Sequence, residues 1–113
     1  MDLELSTAGN TLLIRVAATR IDAAVAIEFK DRMRTAVATS SARVLLDLGC
    51  VAFLDSSGLG AVVASLKMME AGRKLELAGL TPTVEKVFRL TRMDRVFTIH
   101  KDAETGLHLP DAA

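Results

Sequence analysis

The sequence predicts an α/β domain in which an N-terminal β-hairpin is followed by alternating helices and strands, forming a mixed sheet covered by helices. Two observations lead to this prediction. Apolar residues alternate with polar residues near the N-terminus, and later apolar residues recur at helical spacing between strand-like apolar runs. Strand–helix–strand units with short connections are typical of parallel strands with right-handed crossovers, whereas a hairpin is antiparallel.

The N-terminal third predicts a hairpin and a first helix. Two alternating stretches, around residues 3–6 and 12–16, are separated by the turn residues Ala8-Gly9-Asn10. Asp22 follows as a candidate N-cap, and apolar residues then recur at helical spacing up to the polar stretch Thr39-Ser40-Ser41. The first helix is therefore expected between these two points.

The remainder of the chain predicts three strands and two helices, followed by a tail. They are a strand over 43–48, a helix reaching about residue 71, a strand over 74–79, a helix over about 81–91, and a closing strand over 96–99. The first of these strands is almost uninterruptedly apolar, which predicts burial on both faces. Residues 1–113 are expected to form one domain with its core at about 3–99. The tail, 100–113, is expected to be weakly structured, with a weak helix near 103–107.

Small and hydroxyl-bearing residues stand where the 43–48 strand leads into the next helix. Asp55, Ser56 and Ser57 are residue types that cap helices, while Gly58 and Gly60 leave the helix start bare, so that another surface could approach. The first N–H groups of a helix lack intrahelical partners and attract oxygen atoms or anions. The same residues are equally compatible with a helix cap that has no further role.

Composition limits the classes of function. The 113 residues carry 14 basic and 14 acidic side chains and no formal net charge, so electrostatics do not favour nucleic acid or an anionic membrane. No apolar run approaches the ~20 residues that span a bilayer. The single cysteine, Cys50, excludes an internal disulfide, and its position beside a buried strand predicts an inert core thiol. A cytoplasmic location without membrane insertion is expected.

Catalytic and metal-binding patterns are missing from the sequence. Ser56 does not stand in the Gly-x-Ser-x-Gly pattern of a nucleophile elbow, and the two histidines, His100 and His108, lie far along the chain. One cysteine and two separated histidines do not give the paired ligand spacings of a zinc site, and the helix mouth lacks the lysine of a phosphate-binding loop. We therefore expect a chain that is not an enzyme and holds no metal or cofactor.

The octapeptide Phe53-Leu54-Asp55-Ser56-Ser57-Gly58-Leu59-Gly60 resembles the signature of the STAS domain, specifically that of anti-sigma factor antagonists (anti-anti-sigma factors). The resemblance extends over about residues 3–99. In that family the first serine of the Asp-Ser-Ser-Gly run is phosphorylated, which implies Ser56 here, although spacing alone does not choose between Ser56 and Ser57. Asp22 matches an acidic residue implicated in partner contact in the family; a plain N-cap is the other interpretation.

The resemblance implies a partner-switching cycle. The unphosphorylated protein would bind an anti-sigma factor serine kinase and release its sigma factor or other client, phosphorylation of Ser56 would abolish binding, and a PP2C-type phosphatase would reverse it. The free protein is expected to be a monomer without a nucleic-acid partner. The implied partner-binding residues are Asp22, Asp55, Ser56, Ser57, Gly58, Leu59 and Gly60.

A second hypothesis remains open. A STAS module could serve as a constitutive structural or small-ligand-sensing subunit, for example of a transport complex. Under that hypothesis a charge at Ser56 would leave complex formation intact.

Overall fold

Strands and helices alternate along the chain as predicted. The structure is a computed structural model that describes residues 1–38 and 42–108; the predicted helix-ending stretch at 39–41 and the tail from 109 onward lie outside the described residues. The strands are β1 (Leu3–Ala8), β2 (Thr11–Val16), β3 (Arg20–Ile21), β4 (Arg43–Asp47), β5 (Phe53–Leu54), β6 (Lys74–Ala78) and β7 (Ile99–His100). The helices are α1 (Ala26–Val37), α2 (Ser56–Lys67), α3 (Pro82–Leu90), α4 (Ala103–His108) and a 3-10 turn at Met93–Arg95.

The main sheet has the strand order β1-β2-β4-β6-β7. β1 pairs antiparallel with β2 through the turn at Gly9, whose φ of 59° suits glycine, and the remaining pairs are parallel. The mixed sheet and its helical cover are therefore confirmed.

β4 is buried on both faces of the sheet, as its apolar run predicts. Leu46 belongs to the main core together with Phe29 of α1, Val62 of α2 and Phe88 of α3. Leu45 points to the opposite face because side chains alternate along a strand, and there it meets Gly106 of α4. Three helices thus share one core, while α4 covers part of the other face.

The start of α1 differs from the prediction. Asp22 is not its N-cap, because the helix begins at Ala26 and no side chain caps it. Instead, the Asp22 carboxylate accepts a hydrogen bond from the Ala24 N–H at 3.1 Å, and its carbonyl accepts one from the Val25 N–H at 3.1 Å. These bonds form a separate turn ahead of the helix.

A short parallel pair of strands, β3 with β5, is absent from the prediction. Ile21 pairs with Leu54, and both side chains are buried. Two-residue strands carry no measurable periodicity, so their pairing depends on contacts between segments far apart in sequence. This pairing brings the turn at Asp22 beside the start of α2.

The C-terminal elements also differ from the predicted bounds. α2 ends at Lys67 rather than near residue 71, although Gly72 has the predicted positive φ, at 87°. The closing strand is Ile99–His100, and the 3-10 turn Met93–Arg95 precedes it. The predicted helix near 103–107 is present as α4, and Gly106 within it is buried, beyond the predicted core boundary.

Cys50 does not lie in the core. It is partly exposed in the turn after β4, and its Sγ accepts a hydrogen bond from the Arg15 guanidinium at 3.4 Å. The turn at 49–50, which follows the buried strand, carries the thiol away from the sheet interior.

Candidate functional site

Asp55 caps the N-terminus of α2. Its backbone is extended, with φ −96° and ψ −173°, and its Oδ1 accepts a hydrogen bond from the Gly58 N–H at 2.8 Å. This bond satisfies one of the N–H groups that a helix start leaves without a partner. Asp55, rather than Ser56 or Ser57, is therefore the capping residue.

The same carboxylate joins the helix to the turn before α1. Its second oxygen, Oδ2, accepts a hydrogen bond from the Ala23 N–H at 3.1 Å, a contact between residues 32 positions apart in sequence. Asp22 is next to Ala23, so Asp22 and Asp55 lie side by side at the ends of the paired strands β3 and β5. The structure thus brings together the two acidic residues that the sequence analysis selected.

Backbone hydrogen bonds from Gly58, and secondarily from Ala23, hold the pKa of the Asp55 carboxyl below its ordinary value. A carboxyl whose pKa is lowered by folding stabilises the fold above its unfolded pKa, about 3.9, and that contribution is lost as the pH falls through the lower folded pKa.

We expect carbon NMR of the Asp55 side chain to give a titration midpoint below about 3.9 in the folded protein. A peptide spanning residues 53–60 is the control, because it lacks the Ala23 donor and should titrate near the ordinary value. Equal midpoints in protein and peptide would contradict the proposed double cap.

Gly58 is required by the chain's own packing. A Cβ placed on Gly58 would lie 1.9 Å from the Ile21 carbonyl oxygen, so the surface that approaches this glycine is β3. Gly60 differs, since a Cβ there would meet nothing within 4 Å and the residue is exposed. The predicted bareness of the helix start therefore serves internal packing at Gly58 and leaves open surface only at Gly60.

The two serines are exposed in the first turn of α2. Leu59, one residue beyond Gly58, is partly buried and packs against the core, so it anchors the helix below the serines. Ser56 and Ser57 are thus presented to solvent on a turn that is fixed by the Asp55 cap and by the buried Gly58. The two histidines belong to other elements: His100 lies in β7 and His108 in α4.

The structure adds Arg20 and Phe53 to the surface beside this turn. The Arg20 guanidinium lies 4.7 Å from the centre of the Phe53 ring, and its Nε lies 3.3 Å from Asp22 Oδ2. Phe53 is 39% exposed although it belongs to a strand. Phe53 begins the octapeptide, but its pairing with Arg20 depends on the β3–β5 register and could not be found from spacing.

Within residues 1–38 and 42–108, every helix is too short or too polar to cross a membrane.

Comparison with known proteins gives a family match over most of the chain. A family model described as the STAS domain matches residues 2–106. The structure is similar to that of an anti-sigma-factor antagonist (STAS) domain protein from Planctomyces limnophilus, with a TM-score of 0.85 and 19% sequence identity. The similarity covers 95% of this chain and 96% of that chain.

Two further solved structures have the same fold. The Bacillus cell fate determinant SpoIIAA in its phosphorylated form has a TM-score of 0.67 and 21% identity, covering 94% of this chain and 96% of that one. A sulfate transporter family protein from Wolinella succinogenes has a TM-score of 0.74 and 14% identity, covering 87% and 82% of the two chains. At these identities the likeness establishes the shared fold.

Proposed function

This chain belongs to the STAS domain family, and on that premise we propose that it is an anti-sigma factor antagonist in a bacterial partner-switching pathway. Unphosphorylated, it binds an anti-sigma factor serine kinase and thereby releases a sigma factor or other client. Phosphorylation of Ser56 by that kinase ends binding, and a PP2C-type phosphatase restores it. The protein is then a ligand and a substrate rather than an enzyme, cytoplasmic, and monomeric when free.

The observation that carries this proposal is the exposed Ser56 at the first position of a rigidly capped helix. A kinase needs an accessible hydroxyl, and a reversible switch needs a fold that tolerates the added charge. The exposure of Ser56 beside the Asp55 cap supports the first property. The hydrogen bond from Gly58 to Asp55, which holds the helix start in place, supports the second. The proposed docking surface consists of the two neighbouring turns and comprises Asp22, Asp55, Ser56, Ser57, Gly58, Leu59 and Gly60, with Gly58 contributing through the backbone position it permits.

Phosphorylation changes the surface far more than the fold. A phosphate on Ser56 adds about −1.5 to −2 charges. The N-terminus of α2 favours that charge by roughly 0.3–1 kcal/mol, whereas the neighbouring Asp55 carboxylate opposes it, so the two effects nearly cancel within the domain.

A partner docked on the same turn would instead have to bury an unpaired dianion, which costs several kcal/mol. At about 1.4 kcal/mol per tenfold change, this is enough to alter affinity by orders of magnitude. Occlusion by charge, without refolding of the domain, is therefore the proposed mechanism of the switch.

The experiment is capture of partners from native cytoplasm with wild type, Ser56→Ala and Ser56→Asp, followed by mass spectrometry of the partners and of residue 56. We expect wild type and the alanine variant to capture an ATP-binding kinase that the aspartate variant loses at least tenfold. Phosphate should map to Ser56. Ser57→Ala is the matched control for the site of phosphorylation, because Ser57 is also an exposed hydroxyl, one residue away.

An unmodified Ser56, together with a partner that all variants capture equally, would exclude the switch. That result would favour the alternative function, a constitutive structural or ligand-sensing STAS subunit. The observation supporting the alternative is the shared fold of the Wolinella succinogenes sulfate transporter family protein described above. Co-purification with a membrane permease would identify such a role.

A further inference from the structure

A second surface with unusual composition lies at the end of α3. Leu90 and Val96 are large apolar residues with exposures of 72% and 50%. Lys86 lies one helical turn before Leu90, and Arg92 and Arg95 fall between the two apolar residues in sequence. These five residues, all exposed, are called the basic-apolar patch.

Backbone hydrogen bonds hold this segment in consecutive tight turns. The Arg92 N–H donates to the Arg89 carbonyl at 3.2 Å, and the Arg95 N–H donates to the Arg92 carbonyl at 3.2 Å. The Val96 N–H donates to the Met93 carbonyl at 3.0 Å, and the next residue, Phe97, is buried. The patch is therefore presented on ordered backbone.

The helix dipole accounts for only one arginine of this region. Arg89 is the basic residue in the last turn of α3, and it is 3.5 Å from Glu85. At the helix end, the Thr91 backbone N–H and the Thr91 hydroxyl both donate to the Val87 carbonyl, at 3.1 Å and 2.7 Å. Arg92 and Arg95 lie beyond the helix, where dipole compensation weakens.

Arg92 stands in a backbone conformation that favours glycine. Its φ is 61°, and within residues 1–38 and 42–108 the other residues with positive φ are glycines. A long side chain at such a position is strained relative to glycine.

The three cations of the patch have no ion-pair partner in the part of the chain that the structure describes. Among the described residues, Lys86, Arg92 and Arg95 form no ion pair within 4.0 Å. Residues 86–96 contain four basic side chains, those of Lys86, Arg89, Arg92 and Arg95, and one acidic side chain, that of Asp94. A surplus of positive charge surrounds exposed apolar side chains.

The patch and Ser56 belong to different elements, the patch to the second half of α3 and the segment after it and Ser56 to the start of α2. α3 starts after the carboxyl end of β6, and the segment that follows it leads into the amino end of the parallel strand β7. α2, in contrast, starts from the side where β4 ends.

We propose that the basic-apolar patch docks an acidic amphipathic segment of a protein partner, independently of the state of Ser56. Arginine side chains bind carboxylates through paired hydrogen bonds, and Leu90 and Val96 provide apolar contact at the same place. Nucleic acid fits less well, because stacking on bases needs exposed aromatic rings and the nearby Phe88 and Phe97 are buried.

The probe is a synthetic peptide of Glu and Leu in which Leu recurs at i, i+3 and i+4 spacing. Its binding to the whole chain is followed by changes in the amide NMR signals. We expect shifts confined to the patch, and binding about tenfold weaker in Arg92→Gly and Leu90→Gln. Arg92→Gly should also raise the unfolding temperature by relieving the positive φ, so its weaker binding cannot come from unfolding. Arg34→Gln on α1 is the matched control, and both it and Ser56→Glu should bind as wild type does.

Three outcomes would overturn the proposal. An all-Glu peptide that binds equally well would remove the need for the apolar residues. Equal losses in Arg34→Gln would indicate unspecific charge attraction. Stronger binding to phosphatidylcholine–phosphatidylglycerol vesicles than to the peptide would assign the patch to a membrane surface instead.

Discussion

Replacement of Gly58 by alanine is expected to lower the free energy of unfolding by about 3 kcal/mol, the upper end for overpacking of a core. The added Cβ would lie 1.9 Å from the Ile21 carbonyl oxygen and 2.8 Å from its carbonyl carbon, and these are backbone atoms that no rotamer change can move. Either β3 or the first turn of α2 must shift. Urea unfolding should show the lower free energy of unfolding. Thermal unfolding should show an unfolding temperature lower by roughly 10 °C.

Gly60→Ala is the control, because the two glycines are in the same helix and differ in what surrounds them. Nothing lies within 4 Å of a Cβ at Gly60, so alanine there should stabilise the helix by about 1 kcal/mol. Opposite signs for the two substitutions are the expected result. If both variants are stabilised, β3 does not press on Gly58 in solution.

Glu76→Gln is expected to destabilise the fold by about 3–5 kcal/mol, as happens when one partner of a buried ion pair is removed. Arg43 donates to Glu76 through Nε at 2.9 Å and through Nη2 at 2.8 Å, and both side chains are about one-tenth exposed. The same Nη2 donates to the Gly106 carbonyl at 2.7 Å, while His100 Nε2 lies 2.5 Å from Glu76. Without the carboxylate, the buried guanidinium loses the negative charge of Glu76 and the two hydrogen bonds to it.

Hydrogen exchange should locate the damage at α4, because Arg43 links this helix to the sheet through Gly106. The double variant Arg43→Met, Glu76→Leu removes both charges and should lose much less stability than Glu76→Gln. If the double variant loses as much stability as Glu76→Gln or more, the two side chains do not act as a unit.

The Glu76 network also predicts a pH dependence. Hydrogen bonds from Arg43 hold the pKa of Glu76 below its ordinary value of about 4.3. Its contribution is therefore present above that ordinary value and is lost as the pH falls through the lower folded pKa. Glu76→Gln should show a weaker loss of stability over this acidic range than wild type shows.

Much of the architecture could be predicted from the sequence because it follows from local pattern. Alternation gave the hairpin, the apolar run gave the buried β4, and helical spacing gave the existence of α1, α2 and α3. Element ends were less predictable. Asp22 has the chemistry of a cap, yet its carboxylate bonds to Ala24 in a preceding turn. The start of α1 therefore depends on which of two local hydrogen-bond patterns the surrounding structure selects.

The residues of the candidate site could be selected from the sequence, but the contacts that join them could not be predicted from it. The octapeptide identified Asp55 through Gly60 as the feature of interest, and the roles of Ser56 and of the docking surface remain proposals. Asp55 was one of three candidate caps, but no pattern indicated that its carboxylate would also accept a hydrogen bond from the Ala23 N–H, or that Arg20 would lie over Phe53. These contacts join residues more than 30 positions apart, and neither partner has a distinctive spacing of its own.

The sequence by itself determined the order of the longer strands and helices, the burial of β4 and the placing of two serines at the mouth of a helix, because each follows from residue type and local periodicity. Only the tertiary structure decided that Gly58 lies beneath Ile21 and that Asp55 accepts a hydrogen bond from the Ala23 N–H. It also decided that Arg43, Glu76 and His100 form one buried network beneath α4. Such contacts arise from the packing of distant segments, where close approach and the pairing of buried charge are settled by the whole fold.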